Sequence, residues 1–382
     1  MENVLPTYKY FDIEPIDGHD WHIIDANGKE YVDFTSGIGV CNLGYSNEQV
    51  KTAVGEQLNH IWHTSNLYIN SMQDQVAGKL CPEGYLAFLC NSGTEANEAA
   101  FKIARKYTHK KKVLAFNYGF HGRTYGSLSL TGYEAIQSGF TPLVPGSEFA
   151  EYNDDKALDF IDDDCAAVIL EAIQGEGGVN VGNTEWLKKV EVKCHETNTL
   201  LIVDEVQAGM GRTGYKFAFE YAGLNPDIIT CAKGLGNGLP VGAMLAKKGL
   251  ASAFGPGTHG NTFGGNKVVM AAANAVLNQM TPEFLNEVKL KGEYLFQELN
   301  TQLLPLKNVE KVSGRGFMVG IHLANSIDVA DVIKQLQEIG MLTISARANT
   351  LRLLPPLIMD KKALEWGVQQ IKNVLEKEVA AC

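Results

Sequence analysis

Between residues 85 and 231 the chain repeats one pattern: a short apolar run without polar alternation, a turn signal, then a segment with helical spacing. The runs are Val113–Phe116, Ala166–Leu170, Leu200–Val203 and Asp227–Thr230. A strand with one wet face alternates apolar and polar residues, because successive side chains point to opposite faces. A continuous run therefore fits a strand covered on both faces, as in a mostly parallel sheet under helices. The intervening segments Glu95–Tyr107 and Glu185–Thr197 carry the helical period. Together these features predict an α/β layering.

The last third reads differently. A long amphipathic stretch from Lys267 to Leu304 leads into the apolar, Gly-punctuated run Lys311–Ile321. Two helical patterns, Val329–Ile339 and Lys361–Lys377, flank a strand pair ending at Arg352-Leu-Leu-Pro-Pro356. A smaller α+β domain is expected there. The first residues hold a strand-turn-strand pattern around Asp25-Ala-Asn-Gly28, expected to pack with that C-terminal part. The expected division is an N-terminal segment 1–45, a large domain 46–268 and a small domain 269–382, reasonable for 382 residues.

A net charge of −11 argues against nucleic acid as a partner. No long apolar run predicts a membrane span, and the N-terminus lacks the basic and apolar regions of a signal peptide. The seven cysteines show no C-x-x-C spacing. They read as reduced thiols of a cytoplasmic protein. His19 with His22, and His60 with His63, form H-x-x-H pairs but lack the helical Glu of a zinc motif, so no metal site is expected.

Three segments can carry chemistry. Asn91-Ser-Gly-Thr-Glu-Ala-Asn97 follows an apolar strand and opens a helix, so its backbone N–H groups can face an anion; a plain helix cap is the bland alternative. Leu200-Leu-Ile-Val-Asp204 delivers an acid to a strand's C-terminal end, where open α/β sheets bind ligands. That acid could serve Mg²⁺ beside ATP or pair with a protonated ring nitrogen. The first role needs a Lys-bearing phosphate loop, and the chain has none. The third segment is Cys231-Ala-Lys233-Gly-Leu-Gly-Asn-Gly238, where a lysine ends an apolar strand in a glycine-rich loop. A desolvated lysine has a lowered pKa and readily forms Schiff bases. Arg123, Glu176 and Arg352 add candidates for carboxylate recognition, with structural ion pairs as the alternative.

Taken together, these motifs resemble the class III aminotransferases of the fold-type I pyridoxal 5′-phosphate (PLP) enzymes, from Asp33-Phe-Thr-Ser-Gly-Ile-Gly-Val40 to Arg352-Leu-Leu-Pro-Pro356. The resemblance implies a seven-stranded-type sheet and a homodimer. It implies that Lys233 holds the cofactor, that Asp204 partners the pyridine nitrogen, and that Ser92, Gly93 and Thr94 form the phosphate cup. Phe120 and Val206 are then expected on the two ring faces, Gln207 near the phenolic oxygen, and Thr262 at the neighbouring subunit's phosphate. Arg352 resembles the α-carboxylate clamp for 2-oxoglutarate and glutamate, Glu176 its alternating partner, and Arg123 the second carboxylate clamp. Ile38 stands where members acting on free ornithine carry Tyr, so N-acetylornithine is the expected donor; ornithine, succinyl-diaminopimelate and 4-aminobutyrate are the alternatives. The chain departs from the family pattern at Glu171-Ala172, for Glu-Pro, and at Gly44-Tyr45-Ser46, for Gly-His.

Overall fold

The computed structural model describes residues 3–381; Cys382 lies outside them, and the six other cysteines are all free thiols. Seven strands form the central sheet: β1 (Tyr85–Cys90), β2 (Lys112–Phe116), β3 (Ser147–Ala150), β4 (Cys165–Leu170), β5 (Leu200–Asp204), β6 (Ile228–Cys231) and β7 (Gly242–Lys247). Their order is β1-β7-β6-β5-β4-β2-β3. Only β7 runs against its neighbours β6 and β1; the remaining pairs are parallel.

The continuous apolar runs behave as expected. In β5, Leu201 and Val203 pack with the Thr184–Glu196 helix and its Trp186, Leu187 and Val190. Leu200 and Ile202 point the other way, into a core filled by Ala96, Ala99, Ala100, Phe101 and Ile103 of the Gly93–Thr108 helix. Both faces are dry, so alternation has no role. Small alanines let that helix lie close to the sheet, which matters because its N-terminus forms part of the site.

The Lys267–Leu304 stretch is two helices, Lys267–Gln279 and Pro282–Gln302. Thr281 caps the second through Phe284 N (3.2 Å), and Pro282 occupies its first turn. A proline there loses no helical hydrogen bond but cannot continue the helix before it. The apolar period alone ran through this break.

The chain's two ends meet in a four-stranded sheet, where Glu30–Asp33 pairs in parallel with Met341–Leu342. A second four-stranded sheet, of Val309–Arg315, Met318–Leu323, Thr350–Leu353 and Ile344–Ala346, carries Arg352. Among the described residues no helix is long and apolar enough to cross a membrane.

Ile202 is fully buried in the middle of the sheet. Ile202→Ala is expected to lower stability by about 2–5 kcal/mol, the usual cost of a buried large-to-small change. Urea unfolding of the two proteins checks this.

Candidate active site

The carboxyl ends of β1, β2, β4, β5 and β6 surround a cavity of about 430 Å³, which falls within the range of small-molecule sites. Ser92, Gly93, Thr94, Phe120, Arg123, Glu176, Asp204, Val206, Gln207 and Lys233 all line it. Residues far apart in sequence converge because parallel strands deliver their C-terminal ends to one edge.

Asp204 ends β5 as a buried carboxylate (3% exposed). Asn97 Nδ2 donates to its Oδ2 (2.8 Å), and His121 Nδ1 lies at the same distance from the same oxygen. An ionised carboxylate can only accept, so Nδ1 carries the hydrogen. Val206 N donates to Oδ1 (2.9 Å). Behind them Thr230 Oγ1 donates to Asn97 Oδ1 (2.7 Å), and Asn97 Nδ2 also reaches His121 O (2.7 Å). Glu205, the next residue, faces away and accepts from Ala218 N (2.6 Å) and Phe219 N (2.9 Å). The two acids thus share no face on which to hold a metal ion beside a nucleotide.

The Gly93–Thr108 helix points its N-terminus at the cavity. Ser92 caps it by accepting from Glu95 N (3.3 Å). A Cβ on Gly93 would stand 2.6 Å from Val206 Cγ1, so only glycine lets the backbone come this close. The first-turn N–H groups have no helical acceptor and carry the positive end of the helix dipole. Thr94 Oγ1 joins Thr124 Oγ1 (2.8 Å) and Ser127 Oγ (2.5 Å). The cradle suits an anionic head group.

Lys233 follows β6 with φ of 45°, a left-handed conformation uncommon for a residue with a side chain. Burial pulls its pKa below the ordinary lysine value, and Arg352 pushes the same way; Glu176, Asp204 and Glu171 oppose. It makes no ion pair among the described residues. A strained, desolvated, unpaired lysine over a cavity is suited to act as a nucleophile.

Arg352 is buried (2% exposed), and its Nη1 donates to Glu176 Oε1 (2.6 Å) and Gln207 Oε1 (3.0 Å). Gln207 Nε2 completes the triangle to Glu176 Oε1 (3.3 Å). Gly175 leaves room for this group, since a Cβ there would overlap the Gln207 amide. Arg352 Nε is buried without a partner among the described residues, a donor that a ligand carboxylate would satisfy. Arg123 lies over the Phe120 ring at 5.5 Å.

Two expected residues lie elsewhere. Thr262 is exposed, in a separate recess with His63, Asn66 and Lys267. Ile38 is 43% exposed and outside the cavity lining, although Val40, two residues on, belongs to it.

Sequence reasoning assigned no role to Asn97, His121 or Glu171, which also line the cavity. Asn97 sits one helical turn beyond Gly93, so the helix period would have found it. Glu171 follows β4 as Asp204 ends β5, the same signal of an acid at a strand end. It accepts from Phe120 N (3.0 Å) and Gly175 N (3.3 Å). Burial raises its pKa, His121 opposes that, and Asp204 adds to it.

The sequence pattern of the family "Aminotransferase class-III" matches residues 10–375. The acetylornithine aminotransferase of Lactiplantibacillus plantarum is 56% identical over 98% of this chain and 97% of its own length. The ornithine aminotransferase of Toxoplasma gondii, whose structure is described with partial occupancy of PLP at the active site, superposes with a TM-score of 0.93. It is 29% identical and covers 99% of this chain and 94% of its own. The N-acetylornithine aminotransferase of Stenotrophomonas maltophilia K279a superposes at 0.83, with 30% identity and 97% coverage of both chains.

One expected outcome concerns Glu176. Burial alone would raise its pKa, but the adjacent Arg352 holds the carboxyl below its ordinary value of 4.5. A depressed folded pKa stabilises above the unfolded pKa and ceases to do so as pH falls through the folded value. Wild type should therefore melt higher than Glu176→Gln at neutral pH, with a steady gap down to about pH 5 that closes on further acidification. Thermal denaturation across that range measures it.

Proposed function

The chain belongs to the class III aminotransferases, and we propose that it moves the δ-amino group of N-acetylornithine to 2-oxoglutarate, yielding N-acetylglutamate 5-semialdehyde and glutamate. The observation that carries this reading is the Arg352–Glu176–Gln207 triangle beside Lys233. One pocket must accept both a dicarboxylic keto acid and a donor whose reacting end carries no carboxylate. With Glu176 on Arg352 the guanidinium is neutralised for the donor. With Glu176 displaced, the planar fork is free to take the α-carboxylate of 2-oxoglutarate in two parallel hydrogen bonds.

The cofactor is PLP, and the cavity fits it: a glycine-opened helix N-terminus at one end, a buried acid deep inside, and a desolvated lysine alongside. Bound there, PLP supplies the electron sink that makes the donor's reacting carbon acidic. In this reading Ser92, Gly93 and Thr94 hold its phosphate, and Phe120 and Val206 flank its ring. Gln207 would stand on the side of the phenolic oxygen. Asp204, hydrogen-bonded to Asn97 and His121, would face the pyridine nitrogen and favour its protonated form by Coulomb attraction in a dry site.

Lys233 would hold the cofactor through its side-chain amine, and the same amine, its pKa lowered by burial, would serve as the base that moves a proton at the donor's reacting carbon. Arg123 takes the donor's carboxylate. Ile38, with no phenolic hydroxyl to offer a free α-amino acid end, favours the N-acylated donor. Thr262, exposed away from its own cavity, serves the neighbouring subunit's phosphate in a cytoplasmic homodimer.

Lys233→Ala is expected to replace the absorbance band of the PLP-loaded wild type with that of free PLP and to lower turnover by at least about 10²–10⁴-fold, the scale of a lost acid–base group. In the wild type, N-acetylornithine alone should remove that absorbance and 2-oxoglutarate should restore it. A response to ornithine or 4-aminobutyrate but not to N-acetylornithine would replace the donor. No visible absorbance after reconstitution with PLP would overturn the whole reading.

A further inference from the structure

We propose that Tyr45 is a positioning residue for the amino donor: through Asp33 it clamps the left-handed turn Ser36–Gly39 and so fixes the cavity wall made by Val40. This rests on the reading of the cavity as the donor site and adds a residue that lies outside the cavity lining.

The turn is unusual in its backbone. Ser36, Gly37, Ile38 and Gly39 all have positive φ, at 44°, 64°, 66° and 74°. Glycine adopts this region freely, whereas Ser and especially β-branched Ile do so only under external constraint. Strain of this kind collects where a segment must present a side chain or a wall in one place. The turn leads directly to Val40, which lines the cavity.

The constraint comes from Asp33, fully buried at the end of the Glu30–Asp33 strand. Its Oδ1 accepts from Thr35 N (2.8 Å) and Thr35 Oγ1 (2.7 Å), and its Oδ2 from Ser36 N (2.7 Å). The remaining donor is the Tyr45 hydroxyl, 2.5 Å from Oδ2. Tyr45 comes from beyond the turn, so this bond ties the segment's end back to its beginning.

The segment just before Tyr45 is itself docked on the loop that follows Lys233. Leu43 N donates to Asn237 Oδ1 (2.8 Å), and Asn237 Nδ2 donates to Gly44 O (3.0 Å), docking residues 43–44 on the loop that follows Lys233. Ser36 Oγ donates to Leu354 O (2.7 Å), just past Arg352, and the buried Arg212 donates to Ser36 Oγ (3.1 Å). The turn is thus referenced to the Lys233 loop on one side and to the Arg352 strand on the other. Loss of the hydroxyl leaves a buried carboxylate short of one donor, and the strained turn is free to relax away from the cavity.

Tyr45→Phe tests this, because it removes one oxygen and keeps the ring packing. Two readouts are taken: amide hydrogen exchange of the PLP-loaded protein, and steady-state kinetics with whichever ω-amine donor the wild type turns over fastest. Exchange across residues 35–41 should rise by about tenfold, the scale of one buried hydrogen bond, with β5 unchanged. KM for the donor should rise by about the same factor while kcat shifts less than about twofold, the signature of lost ground-state binding.

Unchanged exchange at 35–41 overturns the clamp. Faster exchange with unchanged KM, or a fall in kcat at constant KM, overturns the positioning role and leaves only a structural hydrogen bond. Exchange needs no substrate, and the donor is the one found active. Failure of the N-acetylornithine assignment is therefore distinct from failure of this inference.

Discussion

The buried carboxylate of Asp204 sets the terms for the structure around it. A charge removed from water is tolerated only where polar partners replace the lost hydration. Here they come from four places: the Gly93–Thr108 helix through Asn97, the loop after β2 through His121, the chain just past β5 through Val206, and β6 indirectly through Thr230. The first three also supply cavity walls, and β6 leads into one through Ala232 and Lys233. Satisfying one charge therefore fixes the relative positions of the helix N-terminus, the Phe120 loop and the start of the Lys233 loop.

Charge is concentrated at this one edge of the sheet. Glu176, Arg352, Asp204 and Glu171 all act on Lys233, and burial outweighs the carboxylates, leaving its pKa below the ordinary lysine value. The ion pair between Arg352 and Glu176 differs in kind from the Asp204 network. Arg352 is deeply buried, but Glu176 is partly open, at 37% exposure of its side chain. Glu176 has water access, but its departure would strand a buried guanidinium unless another carboxylate took its place. Backbone strain collects here too, at Ser36, Ile38, Met210 and Lys233. Such conformations persist because the surrounding packing and hydrogen bonds over-determine them.

Much of this was readable in the sequence. The apolar runs ending at Phe116, Leu170 and Val203 became strands buried on both faces, because a two-sided core leaves no periodic polar position to misread. Lys233 was legible because a charged residue closing an apolar strand in a glycine loop has few structural explanations. The break at Thr281-Pro282 was not read, since the apolar period continues across it and only the cap and the proline mark it. Asn97 and His121 were passed over for a different reason. A single Asn on a helix or His in a loop carries no signal until the acid it contacts is known, and that contact spans 107 residues in one case and 83 in the other.

The sequence by itself determined the layering, the strand ends that deliver acid and lysine, and the membership of a family, because these depend on local pattern and on motif order. Only the tertiary structure decided which groups share a hydrogen. It turned Asp204 toward the cavity and the equally buried Glu205 away from it, drew Gln207 into the expected Glu176–Arg352 pair, and closed Tyr45 onto Asp33. Those choices depend on distances of a few tenths of an ångström between segments remote in sequence. They are set by packing density and the need to satisfy every buried polar atom, and neither has a period that a sequence can display.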